Sequence, residues 1–345
     1  MRDLKYLIAY LLPGSAVLAL WQPERFAWAT VVLSFLIIPL MEQLLPQSAK
    51  NIAVEEEPAR SKRIFFDILL YLNAPFLFVI TGWYLFLLKN AAFDWPVLLG
   101  LSLSTGIVVG AIGINVAHEL GHRSTKFEQF LAKCMLLPAL YQHFFIEHNK
   151  GHHKHVATDK DPASARYGEM VYTFWWRSVS GSWRSAWQLE RERLAQAGGK
   201  FWSIQNEMLR FTLIQLLWLS VWFIYGGFPT LFGAIVIACI GILLLETINY
   251  IEHYGLRRKM LPSGRPEPVS PAHSWNSDHE LGRIFLYELT RHSDHHYKAT
   301  RKYQVLRHLE ESPQLPLGYP ASVLATLAPP LWFAMIHPRL PRENA

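Results

Sequence analysis

Six apolar runs dominate this 345-residue chain: Tyr6–Trp21, Phe26–Leu44, Phe65–Leu88, Trp95–Ala117, Leu209–Tyr225 and Pro229–Tyr250. A bilayer core takes roughly 20 apolar residues per helix. Inside it, a spanning helix satisfies its own backbone polar groups, which an irregular segment cannot do. Runs of this length leave few folds open, and the expectation is an all-α integral membrane protein with six transmembrane helices. Short connections, "QPERF", "KNAAFDW" and "GGF", join them into three hairpins. Composition agrees with this: 17% of residues are charged, where a soluble domain carries about 25%.

The remaining connections are long. Lys and Arg near the helix ends, in "MRDLK", "ARSKR" and "LRRK", gather on one side. The positive-inside rule makes that side the cytoplasm, and an even number of spans leaves both termini there. The expected organisation is a single membrane-embedded domain, 1–345, with cytoplasmic segments 118–208 and 251–345. Tyr6–Trp21 is read as a retained helix rather than a signal peptide, because no clean small-residue cleavage site follows it. The apolar stretch Phe130–Phe145 contains Pro138 and a lysine. It is expected to be interfacial or re-entrant rather than spanning. A net charge of +6 raises the question of nucleic acid, but no basic cluster alternates with exposed aromatics, so the usual footprint is missing. The two cysteines, Cys134 and Cys239, give neither a disulfide framework nor a thiolate metal site. They are also too few for a built-in iron–sulfur centre.

Chemistry concentrates in the 15 histidines. "HELGH" places His118 and His122 one helical turn apart, about 6 Å at Cβ, as a chelating pair requires. Glu119 completes a literal zincin pattern, yet the chain holds far more imidazoles than one catalytic zinc uses. In "HNKGHH", His148 and His152 share a helical face and His153 is turned about 100° away. His253 stands alone in "NYIEHYG", and "RHSDHH" contributes His292, His295 and His296. Imidazole without thiolate suits iron, copper, zinc or nickel. The nitrogens exceed what one octahedron takes, so two metals are the economical count. Glu119, Glu147, Glu252 and Asp294 lie beside the clusters, where carboxylates would fix each ring in its metal-binding tautomer. A metal transporter would place ligands within the spans near the midplane, whereas these gather at one interface.

"HELGHR", "EHNKGHH", "DPASARYGE", "NYIEHYGL" and "RHSDHHYKATRKYQ" together resemble the boxes of the bacterial membrane alkane monooxygenases, within the wider histidine-rich di-iron membrane hydroxylases and desaturases. The match runs in order from roughly Lys5 to "LPLGYP". "NYIEHYG" and "DPASAR" favour the hydroxylase branch over the desaturases. The resemblance implies six transmembrane helices and two non-haem iron ions held by His118, His122, His148, His152, His153, His253, His292, His295 and His296. His143, His155, His273, His279, His308 and His337 match no ligand position. Two departures flank the last box: Thr290 replaces a common glutamine, and "YKATRKY" a proline-containing stretch.

The implied reaction is O2-dependent terminal hydroxylation of an alkane to a 1-alkanol. A terminal C–H bond offers acid–base catalysis no handle, so redox-active metal must supply the oxidant. Electrons must come from outside the chain, and the family implies rubredoxin with its NAD(P)H-dependent flavoprotein reductase. Lys150, Lys154, Arg257, Arg258, Lys298, Arg301 and Lys302 are candidates for an acidic donor's dock. Trp28, Phe35 and Trp83 are candidates for lining a substrate channel. A fatty-acyl desaturase or hydroxylase and a xylene-type monooxygenase use the same histidine boxes and stay open as alternatives.

Overall fold

A computed structural model describes residues 2–341. Among the described residues there are helices and three isolated β-bridges, with no strand longer than a bridge. Five helices are long and apolar enough to cross a membrane: α1 (Asp3–Trp21), α2 (Pro23–Leu44), α3 (Glu57–Asn90), α4 (Trp95–Gly121) and α7 (Glu207–His253). The chain is thus an all-helical, multi-pass integral membrane protein.

The axis of the bundle is α4. In its most apolar window 78% of residues are buried, against 28–44% in the other four. It packs against α1, α2, α3 and α7. Small residues make that possible: Gly110 lies so close to α7 that a Cβ there would stand 3.2 Å from the Gly241 carbonyl oxygen. The other four turn Leu, Ile and Phe side chains outward, among them Leu36, Leu40, Leu217 and Phe232. On a water-soluble protein such a surface would be an aggregation liability. In lipid it is the solvent-facing side.

At 47 residues α7 is too long for one crossing, and it breaks at Gly227, where φ is 70° and ψ −151°. Before the break, Trp218 and Trp222 lie against Phe78 and Gly82 of α3, in the same order along both chains. After it, Ile240 and Leu244 meet Gly106 and Gly110 of α4, again in the same order. Since α3 and α4 run oppositely, with Tyr84 bonded to Ser102 and Leu77 near Gly113, the two halves of α7 do too.

The apolar stretch Phe130–Phe145 is only partly helical. α5 (Lys126–Met135) is capped by the Thr125 hydroxyl, and the chain then turns through Leu140 at φ 52°. A short helix over 144–155 follows. Then come α6 (Val171–Gln196), α8 (Glu280–Phe285), α9 (His292–Tyr297), α10 (Tyr319–Thr326) and α11 (Pro329–Ile336). These gather over the α4 and α7 ends that carry His118 and His253.

Candidate metal centre

Four segments bring nine imidazoles together in two groups. Each group offers one ligand atom per residue, all within 4.8 Å of one another. His118, His122, His148, His153 and His295 form the first; His152, His253, His292 and His296 form the second. They are the nine histidines that the family resemblance implied. The other six histidines join neither group.

Local helix geometry decides which ring goes where. His118 and His122, four residues apart on α4, enter the same group, and so do His292 and His296 on α9. Residues 148–152 instead form a π-turn, whose i→i+5 bonding adds one residue to the turn. The partner of His148 is therefore His153, with their Nε2 atoms 3.0 Å apart. His152 turns to the second group, 3.2 Å from His296 Nε2. An α-helical spacing would put His148 and His152 on one face and leave open whether the cluster serves one metal or two; the π-turn instead brings His148 and His153 together. Gly151 permits the turn, since a Cβ there would meet Glu147 Oε1 at 2.4 Å.

The Nε2 atoms converge as cis ligands do. His148–His122, His295–His153, His253–His292 and His292–His296 stand 3.1, 3.2, 3.2 and 2.9 Å apart. Two ligands at right angles, each about 2.1 Å from a metal, are about 3.0 Å apart. Hydrogen bonding alone does not account for the array. His148 Nε2 faces both His122 and His153, and His153 also faces His295. One proton per pair cannot serve that chain. His118 Nε2 is buried with no partner at all. The donor set therefore fits metal ions.

Electrostatics keeps the rings available. Burial, then repulsion from neighbouring imidazoles, holds His122, His148, His153, His292, His295 and His296 well below the usual histidine value. They are neutral, with lone pairs free. His152 differs: burial lowers it, but the Asp161 carboxylate outweighs that and raises it.

One carboxylate holds a ring from behind and a second stands beside another. Asp161 Oδ2 lies 2.9 Å from His152 Nδ1 and is itself held by the Ser164 hydroxyl and the Ala163 amide. Glu252 Oε1 stands 3.2 Å from His292 Nδ1, off the line of a well-aligned hydrogen bond, and accepts from the Tyr319 hydroxyl. Of the four acids expected in this role, only Glu252 reaches a ring. Glu119 accepts from Arg123 and the Tyr303 amide. Asp294 is taken up by Arg307 and Arg301. Glu147 is bonded by Ser185 at 3.3 Å, and burial followed by the nearby Asp161 charge pushes its carboxyl up. Competition from arginines explains the first two. Asp161 went unread although it lies in the singled-out "DPASAR" segment, because the chain must fold back to bring it to His152.

An apolar cavity leads from the membrane-embedded helices to both groups. Leu12, Phe35, Ile38, Ile107, Leu244 and Ile248 line it, and it ends on His118, His148 and His292. The cavity is narrow, about 90 Å³. Phe35 is the one expected channel residue among its lining. Trp28 bonds the Pro96 carbonyl and Trp83 packs on the core.

A family model described as fatty acid desaturase matches residues 93–323. Alkane 1-monooxygenase 1 of Alcanivorax borkumensis is 37% identical over 95% of this chain and 82% of its own length. Alkane 1-monooxygenase of Acinetobacter baylyi is 38% identical over 91% and 77%. The xylene/toluene monooxygenase hydroxylase component of Pseudomonas putida is 26% identical over 97% and 88%.

Proposed function

The chain belongs to the alkane 1-monooxygenase family, within the fatty acid desaturase-like group, and from that premise we propose that its nine histidines hold two iron ions for terminal hydroxylation of alkanes. His118, His122, His148, His153 and His295 would hold one ion, and His152, His253, His292 and His296 the other. The reaction consumes alkane, O2, two electrons and two protons, and releases a 1-alkanol and water. The observation that carries this reading is the apolar cavity ending on His118, His148 and His292, which belong to both groups.

Iron would supply the redox chemistry with dioxygen that an unactivated C–H bond requires. The protein's own residues do the rest. Alkanes partition into the bilayer by about 0.8 kcal/mol per methylene, and the cavity walls contributed by α1, α2, α4 and α7 accept them there. Leu, Ile and Phe side chains with no polar partner to offer align the chain end-on toward the rings, which is a positioning effect. Asp161 holds His152 in orientation, and Glu252 stands beside His292. Asn115, Asn249 and Tyr319 add polar groups to the cavity wall, where the hydroxyl of the product can be received.

The reversal within α7 supports six spans in three hairpins, forming one domain. The basic helix ends support a cytoplasmic histidine side, with both termini on it, in the bacterial inner membrane. Rubredoxin, reduced by its NAD(P)H-dependent flavoprotein reductase, is the proposed donor. Of the basic residues considered for its dock, Arg258, Arg301 and Lys302 are engaged with the chain itself and Arg257 faces Asp159. Lys150, Lys154 and Lys298 remain the better candidates.

The test is to express the chain with a rubredoxin and reductase and feed alkanes of graded length. Gas chromatography should detect 1-alkanols. Turnover of a methylarene or an acyl lipid, with no alkane oxidised, would replace this substrate class by one of the two related ones.

A further inference from the structure

A second cavity, of about 430 Å³, lies between the start of α1, the 46–52 loop, the start of α3 and the segment joining α8 to α9. It shares no lining residue with the apolar channel. Its walls carry five cations, Lys5, Lys50, Arg60, Arg283 and Arg291, against the two acids Glu280 and Glu288.

Three of the cations are matched. Lys5 pairs with Glu280, Arg283 with Glu288, and Arg60 with Asp3. Two are not. Lys50 has no side-chain partner among the described residues. Arg291 is 1% exposed, yet its Nη groups bond only neutral oxygens: the carbonyls of Ser48, Lys50 and Leu306 and the Asn51 side chain. Its Nε makes no hydrogen bond. The nearest carboxylate oxygens, Glu288 Oε2 and Asp278 Oδ1, stand 3.8 and 4.0 Å away, beyond hydrogen-bonding distance, and Glu288 Oε2 already serves Arg283. The lining alone holds three more cations than acids, and widening the count to Asp3, Asp278 and Arg63 gives six cations and four acids, a surplus of two.

Arg291 is buried, where a charge without a close counter-charge is costly, and Lys50 adds an exposed, unpaired charge at the cavity's edge. We propose that this cavity binds a phosphate-bearing anion, either the headgroup of an anionic phospholipid or free inorganic phosphate. Arginine and lysine are the side chains that bind phosphate oxygens best. Basic pockets between transmembrane helices at the membrane face take such headgroups. Beside Lys5, the α1 residues Leu4, Leu7, Ile8 and Leu11 are exposed and offer an apolar flank for acyl chains. The cavity is a concave space bounded on several sides, suited to a headgroup rather than to the face of a protein. Arg291 immediately precedes His292, so a bound phosphate would brace the 46–52 loop against the start of α9.

The test uses the full chain in detergent, with phosphatidylglycerol, phosphatidylcholine and inorganic phosphate titrated separately. Native mass spectrometry counts retained lipid, and melting temperature follows both lipids and phosphate. Saturable binding of one phosphatidylglycerol, with phosphatidylcholine inert, identifies the lipid source. A saturable rise with phosphate, to which phosphatidylglycerol adds nothing, identifies the free ion. In either case Lys50→Glu, at an exposed side chain, should weaken binding by about tenfold or more, while Lys62→Glu, outside the cavity, should not. The proposal is overturned if neither anion binds saturably, or if the two variants behave alike. None of these readouts needs metal or turnover, so the result stands apart from the catalytic reading.

Discussion

An imidazole that offers Nε2 to a metal needs its Nδ1 proton held, and Asp161 does this for His152. Removing such a partner typically costs 10–100-fold in metal affinity. Asp161→Asn should therefore lower iron retention by about that factor with little change in melting temperature. Glu119→Gln should do the reverse. It loosens the bond to Arg123 and should lower the melting temperature while leaving iron in place; iron analysis and thermal melts on both variants separate the two roles. The lowered histidines set a pH dependence as well. His122, His148, His153, His292, His295 and His296 bind fewer protons folded than unfolded between their depressed values and about 6.5. Stability of the metal-free chain therefore rises with pH across that window and is lost as pH falls below about 6.5. His152, raised by Asp161, opposes this, but it is one ring against six. Melts of metal-free protein from about pH 7.5 to 5.5 should show a falling midpoint, and a flat profile would contradict the assignment.

At the scale of elements, two glycines sit where a side chain is costly, Gly151 for want of space and Gly227 because of its backbone. Gly151 sits in the π-turn over the Glu147 carboxyl. Gly151→Ala should disturb both groups at once, since the turn sends His153 to one and His152 to the other; loss of iron with the chain still folded is the expected outcome. Gly227 occupies a region of φ and ψ nearly exclusive to glycine, so Gly227→Ala should cost about 1–3 kcal/mol. A lower melting temperature with iron content unchanged would match that role. These features also mark where the sequence was legible. The spans could be read because membrane helices must be apolar along their length, and Phe65–Leu88 and Trp95–Ala117 fall inside α3 and α4. A π-turn leaves no such trace in "HNKGHH", so which ring accompanies His148 stayed open. The surroundings of Glu119 and Asp294 were illegible for a related reason: their partners, Arg123, Arg301 and Arg307, reach them only once the chain is folded.

For the whole molecule, the nine histidines were legible as a set from their motifs, and their division into five and four was not. That division depends on how α4, the 144–155 helix, α7 and α9 meet, which no local spacing encodes. The same assembly has a topological consequence. If α7 crosses twice, both termini lie on the histidine side, and reporter fusions at either end should be active in the same compartment. Opposite behaviour at the two ends would require an odd number of spans. The central claim, that the two histidine groups hold two irons which hydroxylate an alkane, is tested most directly by metal analysis of the purified, active chain. The account predicts two irons per chain, with iron and 1-alkanol formation both reduced by His295→Ala in the first group and by His292→Ala in the second. An iron-free chain that still produced 1-alkanol would contradict it.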